Sequence, residues 1–296
     1  MYFKKNEGIA LIQVLLISTI LTLLALQFSY TARQQVKTAQ SLIEREEARL
    51  LAYSLKNKAI FTLLAFELRG INGLPDDLMQ LQNLRIGGEK VRYSQVAQIK
   101  LEDLSGRLSI YHPTHPAWER FLTELGYTRE QVKNIIQYLI DVQDKDRKSR
   151  YGVEPKFNDN NMPYLNRPFQ SSTEAQKYLQ QYPVLLDNYE KYIHHYANYE
   201  ISMLHTPELI SKAIIGQSLP TNFASFEKGE KRDVSKYITG IIDSRYPEES
   251  FSTFPSVYKR VNIEIDTGNV LWRDSIDVKL NGLKKPPYTL IGRGNH

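Results

Sequence analysis

The chain has 296 residues, 42% of them hydrophobic, enough to bury a core in one or two domains. Its net charge of +5 is modest, acidic residues are interspersed with basic ones, and no long Lys/Arg tract exists, so nucleic-acid binding finds no support. Cysteine is absent, which removes disulfides, thiolate nucleophiles and cysteine-based metal sites while saying nothing against an oxidising compartment.

The N-terminus carries a short charged leader, Met1-Tyr2-Phe3-Lys4-Lys5-Asn6-Glu7, followed by Gly8. From Ile9 to Ala32 there is no charged residue, and Arg33 ends the run. That length exceeds the roughly 20 apolar residues a spanning helix needs. Mean hydropathy over the whole chain is negative, so only this segment belongs in a membrane. A secretory signal peptide places its small-residue cleavage site after the apolar stretch. Here Gln27-Phe28-Ser29-Tyr30 offers no Ala-x-Ala site, and the small residue stands in front instead. The apolar segment is therefore expected to be kept as an anchor. Lys4 and Lys5 place the N-terminus in the cytoplasm and everything beyond Arg33 outside it.

From Ile9 to Arg69 neither Pro nor Gly occurs, so one helix of roughly 90 Å is expected at 1.5 Å per residue. Its later part reads as amphipathic, with Val36, Ala39, Ile43, Leu50, Leu51, Leu55, Ile60 and Leu64 at helical spacing. Arg69-Gly70-Ile71-Asn72-Gly73-Leu74-Pro75 supplies the stop. Beyond it, residues 85–91 read as a turn between strands, and 98–104 with 107–111 read as a hairpin around Ser105-Gly106. Residues 118–125, 128–142, 172–179, 183–199 and 206–215 carry helical character, with Thr128-Arg129-Glu130-Gln131 as a capping box and Pro207 opening the last. Strands return at 258–265 and 271–278 around Asp266-Thr267-Gly268-Asn269, and 288–291 adds an edge strand. Strands early, helices in the middle and strands late predict an α+β fold, one sheet with a helical insertion.

The best candidate for a metal is the loop after the second of these helices, where Asp141, Asp144, Asp146 and Glu154 cluster. Oxygen ligands of this kind suit a hard cation. The spacing does not follow the EF-hand template, and Lys145, Arg147, Lys148 and Arg150 weaken the local field, so a solvated, salt-bridged loop is the competing reading. His112, His115, His194 and His195 lack further ligands at a recognisable spacing and read as surface histidines. Tyr182, Tyr189, Tyr192, Tyr196 and Tyr199 read as a stripe on one helical face, either core or interface. There is no Gly-x-Ser-x-Gly elbow, no phosphate-cradling loop and no His-Glu-x-x-His, so the chain is not expected to be an enzyme.

The leader ending in Gly8 resembles the class III leader of type IV pilins and type II secretion pseudopilins. Glu102-Asp103-Leu104-Ser105-Gly106-Arg107-Leu108-Ser109-Ile110 resembles a strand signature of the minor pseudopilin K family, with Ser109 where that family commonly has Asn. Glu200-Ile201-Ser202-Met203-Leu204-His205-Thr206-Pro207-Glu208-Leu209-Ile210 is similar to its second signature, a strand entering a helix, with Ser202 and Leu204 replacing Asn. Gln13 stands at the fifth position counted from Ile9, where major pilins carry Glu and the K family does not.

The resemblance implies a pilin-like fold: a long N-terminal helix, transmembrane in its first half, packed on an antiparallel sheet with a large helical insertion. It implies a leader over 1–8, a membrane segment over 9–32, an amphipathic helix and first strands over 33–111, an insertion over 112–215 and closing strands over 216–296. It further implies cleavage after Gly8 by a prepilin peptidase, N-methylation of Ile9, and calcium near the Asp-rich loop. The implied place is the Gram-negative inner membrane, with the globular part in the periplasm. The implied partners are minor pseudopilins I and J, the major pseudopilin, the secretin and secreted substrates. Two other readings are a minor pilin of a type IV pilus and a signal-anchored periplasmic protein.

Overall fold

The computed structural model describes residues 7–69, 90–146, 148–149, 152–153, 162–196, 199–216, 250–252, 256–282 and 284–293. The expected helix stop at 70–75, the turn at 85–89 and Glu154 lie outside the described residues. In chain order the elements are α1 (Glu7–Arg69), β1 (Lys90–Arg92), β2 (Ala97–Asp103), β3 (Leu108–Ser109), α2 (Ala117–Glu124) and α3 (Arg129–Gln143). There follow β4 (Lys148–Ser149), β5 (Gly152–Val153), α4 (Ser172–Tyr178), α5 (Pro183–Asp187), α6 (Tyr189–Tyr192), β6 (Ile193–His194), β7 (Ile201–Ser202) and α7 (Glu208–Ile215). The last are β8 (Phe251–Ser252), β9 (Tyr258–Asp266), β10 (Leu271–Leu280) and β11 (Tyr288–Arg293). Tight 3-10 turns cover Leu104–Gly106 and Met203–His205.

The α+β architecture read from the sequence is present. α1 is a single helix of 63 residues. Its C-terminal part buries Ala48, Ala52, Leu55, Ala59, Ile60 and Leu63 against the sheet. Apart from the adjacent Ala59 and Ile60 these recur at intervals of three and four, which puts them on one face. The three alanines carry no bulk beyond Cβ, so the helix axis comes close to the strands. Of the amphipathic set expected from the sequence, Leu55 and Ile60 are buried and Leu51 and Leu64 partly so. Val36, Ala39 and Ile43 are exposed because contact with the sheet begins only near Ala48, and Leu50 is exposed because it points to the opposite side of the helix from Ala48 and Ala52.

The sheet has the order β1-β2-β9-β10-β11, antiparallel throughout. β2 and β9 alternate strictly along most of their length. Ala97, Ile99, Leu101, Val261, Ile263 and Ile265 face α1, while Gln98, Lys100, Glu102, Arg260, Asn262 and Glu264 form the other face. This is the period-2 pattern of a sheet apolar on one side only. The β9–β10 hairpin turns where expected: Gly268 has φ +86° and its N–H donates to Asp266 Oδ1 at 2.8 Å. β11 forms the edge expected near 288–291.

Two local expectations are corrected. The hairpin at Ser105-Gly106 does not form: β2 ends in the 3-10 turn, and β3 pairs in parallel with β6, Leu108 opposite Ile193. Asp103 caps that turn and directs the chain out of the sheet, so β3 finds its ladder elsewhere. The helix expected over 183–199 breaks into α5, α6 and β6. Ile193 and His194 supply the bonds that β3 needs, and this tertiary pairing overrides local propensity.

The insertion between β3 and β8 has its own core, centred on Trp118, Phe121, Leu139, Phe169 and Tyr189. α3 opens with the expected capping box of Thr128 and Gln131. α7 ends at Gly216, whose left-handed backbone gives φ +76° and lets its N–H reach Lys212 O.

Candidate functional site

Gly8 and Ile9 lie in the first turn of α1, which runs on from Glu7 without interruption. Gln13 is exposed on the same helix. Residues 11–43, about 50 Å of helix at 1.5 Å per residue, are exposed throughout. Phe28, for example, is 73% exposed. The apolar portion is long and apolar enough to cross a membrane, and none of its window is buried within the protein. Thr19, Thr22 and Thr31 donate their hydroxyls to Leu15, Ser18 and Gln27 carbonyls one turn earlier. Their polar atoms are thereby satisfied inside the helix, as a hydrocarbon solvent demands.

The two signature segments meet at the seam between sheet and insertion. Asp103 Oδ1 accepts from Ser105 N at 3.0 Å, Ser105 Oγ at 2.7 Å and Ser256 Oγ at 2.7 Å. Its Oδ2 accepts from Ser256 N at 2.8 Å and Lys259 Nζ at 2.7 Å. Both Asp103 and Lys259 are buried, directly opposite one another on β2 and β9. Burial pushes the Asp103 carboxyl up, but the Lys259 ammonium, His205 and the hydrogen bonds outweigh it and hold the group below its ordinary range.

Gly106 lies against the second signature. A Cβ there would stand 2.2 Å from His205 O and 2.9 Å from Thr206 N, both backbone atoms, so no larger residue fits without moving the chain. Arg107 then donates to Glu190 O at 2.7 Å and to Glu102. Ser109 donates to Tyr196 O at 2.5 Å and accepts from Tyr111 N. Ser202 is buried, and its Oγ has no hydrogen-bond partner among the described residues.

Sequence reasoning missed a second polar bridge across the same seam. Arg260 binds Asp277 in a two-pronged fashion, Nε to Oδ1 at 2.7 Å and Nη2 to Oδ2 at 2.9 Å. Tyr196, from the insertion, donates its hydroxyl to Asp277 Oδ2 and stacks on Tyr258. Burial raises the Asp277 carboxyl, but Arg260 and Tyr196 more than offset that and keep it low. Nothing in local spacing links positions 196, 260 and 277. The alternation on β9 and β10, which puts charged residues on a half-buried face, marked only 260 and 277, and Tyr196 stood out only as one of a run of tyrosines.

The remaining candidates fall in different places. Asp141 is buried on α3 and accepts from Gln137. Asp146 accepts from Lys148 N at 2.8 Å. Asp144 Oδ1 is buried with no hydrogen-bond partner among the described residues, and burial, Asp146 and Asp141 raise its pKa. That orphaned oxygen is what a cation would take. Among the described residues, however, no three His, Asp or Glu side chains gather into a cation site.

The histidines are not all at the surface. His115 and His194 are both 3% exposed. Each ring turns Nδ1 back to accept a nearby backbone N–H, from Ala117 and Tyr196 respectively, which is how a histidine follows the chain inward. The tyrosines do not share one helical face, because the helix breaks at α6. Tyr189, Tyr192 and Tyr196 are core, while Tyr199 is half exposed beside the His112 and His115 rings.

The sequence matches no family model, and no curated protein matches it. The structure is similar to a chain of the GspK-GspI-GspJ complex from the enterotoxigenic Escherichia coli type 2 secretion system. The likeness covers 84% of this chain and 100% of that one, at 9% identity and a TM-score of 0.49.

Proposed function

We propose that this protein is a minor pseudopilin of a type II secretion system, of the K type, with its helix anchored in the inner membrane and its globular part in the periplasm. The observation that carries this reading is the division of α1. One unbroken helix presents an apolar stretch, exposed from Leu11 onward, close behind Gly8, and its part from Ala48 to Leu63 is built into the sheet core. Such a subunit is held in a bilayer until it is drawn out, and its apolar half then packs against the helices of neighbours.

In this reading a prepilin peptidase cuts after Gly8 and methylates the new amine of Ile9. Gln13 carries no charge, which suits a subunit at the tip, where no neighbour above offers an amine to a carboxylate in lipid. The globular part caps the filament together with minor pseudopilins I and J and supports protein export. Its work is assembly, not bond-making. Calcium at the loop after α3 belongs to the same proposal. It is supported by the orphaned Asp144 oxygen, and Asp144→Asn should abolish any calcium-induced rise in melting temperature.

The test is intact-mass and N-terminal peptide analysis of the protein taken from its native membranes. A chain beginning at N-methylated Ile9 is expected, and Gly8→Val should leave it uncut. A chain starting at Met1, or cut beyond Gln27, would overturn the pseudopilin reading. Loss of piliation, rather than of secretion, on deletion would move the protein to a type IV pilus.

A further inference from the structure

Residues 194–196 form a short arm between the insertion and the sheet. The insertion core and the core between α1 and the sheet share no residue, and Tyr196 belongs to neither. The backbone of the arm is fixed to the insertion: Tyr196 O accepts from Ser109 Oγ, and Ile110 N donates to His194 O at 2.9 Å. Its side chains reach the sheet. The Tyr196 ring lies parallel to that of Tyr258 at 5.4 Å, and its hydroxyl donates to Asp277. The His195 ring donates to the carbonyl of Ile291, the bulge residue of β11 that has no register partner on β10.

One ring sets the arm. His194 Nδ1 accepts the Tyr196 N–H at 3.1 Å, and the two rings stack at 5.5 Å. An accepting Nδ1 requires the single ring proton to be on Nε2. A second proton would go onto Nδ1, where it meets the Tyr196 N–H. The bond is then lost and two donors face each other. The new charge also lacks solvent, since His194 is 3% exposed. The groups facing its ring are Arg107 at the entry to β3, Asp277 on β10 and the neighbouring His195. Those facing His195 are Asp277, Arg260 and Glu190. Asp277 could offset the charge on His194, but Arg260 already holds both of its oxygens. A charged His194 is therefore stable only once it has moved out to water.

The sheet tolerates that departure. Asp277 keeps Arg260 on both oxygens, and the Tyr196 hydroxyl passes to solvent. What leaves is the cover over Tyr258 and over the Ile291 carbonyl.

We propose that residues 194–196 are an acid-released latch: proton uptake by His194 frees Tyr196 from Asp277 and Tyr258 and uncovers the β11 edge at Ile291, while both cores stay folded. The inference stands apart from the pseudopilin reading, since neither leader processing nor secretion enters its test. Burial, then Arg107 and His195, lower the latched ring from 6.5 to about 3, and release restores its ordinary value. The released population therefore grows as pH falls below 6.5, approaching about tenfold per pH unit for each proton taken up.

The test is hydrogen exchange read by mass spectrometry on the full chain in neutral detergent micelles, from pH 7.5 to 4.5. Each rate is divided by the intrinsic rate at that pH. Peptides spanning 193–196 should lose protection at least tenfold between pH 6.5 and 4.5. β9 and α3 should stay at least tenfold better protected than these peptides throughout. His194→Asn, which keeps an acceptor for the amide two residues on, should cut the loss at least fivefold. His115→Asn, in the insertion beside Tyr199 and Phe251, should leave it within about twofold. Tyr196→Phe should lower protection at every pH and keep the slope.

Equal protection of the latch, β9 and α3 would reduce the effect to global unfolding and overturn the proposal. An undiminished slope in His194→Asn would overturn it too, as would full protection of 193–196 down to pH 4.5. If His194→Asn is already unprotected at pH 7.5, Tyr196→Phe decides, because it retains the histidine: a flat profile there overturns the latch and the wild-type slope supports it.

Discussion

The layer between α1 and the sheet is mainly apolar, with Lys56–Asp274 as a polar contact within it, while the seam between the sheet and the insertion is bridged by polar groups. Tyr196 sits on the Arg260–Asp277 pair, and Arg107 joins Glu102 to Glu190 O. The buried Asp103–Lys259 pair fixes the turn where the chain leaves the sheet. The two regions use different physics to fix geometry. Apolar burial is roughly proportional to area and indifferent to the angle between groups. A buried ion pair gives little net stability compared with apolar side chains, but losing one partner leaves a charge without solvent. The first kind of contact holds a long helix to a sheet. The second fixes how the insertion sits against the sheet.

Single substitutions on either side should separate these behaviours, measured as thermal or denaturant unfolding of the full chain in detergent. Lys259→Met should have the largest effect, about 3–5 kcal/mol, because Asp103 is left buried and uncompensated. Replacing both partners, Lys259→Met with Asp103→Leu, should recover much of that loss, whereas simple additivity would contradict an ionic seam. Leu55→Ala in the apolar layer should cost about 2–5 kcal/mol. Leu50→Ala, five residues earlier and 65% exposed, should stay within about 0.5 kcal/mol. If Leu50 proved as costly as Leu55, α1 would be packed on something other than this sheet.

The apolar layer was largely legible in the sequence and the seam was not. Helical and alternating periods are local, so α1, β9, β10 and the turn at Gly268 could be placed from neighbouring residues alone. The alanines at 48, 52 and 59 escaped notice because a small residue carries a weak hydrophobic signal, although close packing depends on it. The seam is non-local. Asp103 meets Lys259 across 156 positions, and Tyr196 meets Asp277 across 81. Gly106 was visible only as part of a motif, and its reason, the backbone at His205, lies about a hundred residues away. His115 and His194 were misplaced for the same cause, since what buries them comes from other parts of the chain. The apolar run over 9–32 was legible from composition alone, whereas Val36, Ala39 and Ile43 read as a packed face and are exposed.

The seam and its flanks should also carry the pH dependence, and here the sign can be worked out. Burial lowers His115 from 6.5 to about 4. Burial, with Arg107 and His195 nearby and Asp277 opposing, lowers His194 to about 3. The unfolded chain therefore binds more protons between about pH 6.5 and 4, and stability is complete above the unfolded value and falls as pH drops through that window. Each histidine contributes up to about 1.4 kcal/mol per pH unit to that slope. The carboxylates Asp103, Glu102 and Asp277 are depressed instead, so their contribution is lost only below about pH 4. His115→Asn, which keeps an acceptor for the Ala117 amide, should flatten the upper window while leaving the lower one in place. Melting curves at half-unit intervals from pH 7.5 to 3.5 would read both, and an unchanged slope in the variant would show that His115 takes up its proton without leaving the core.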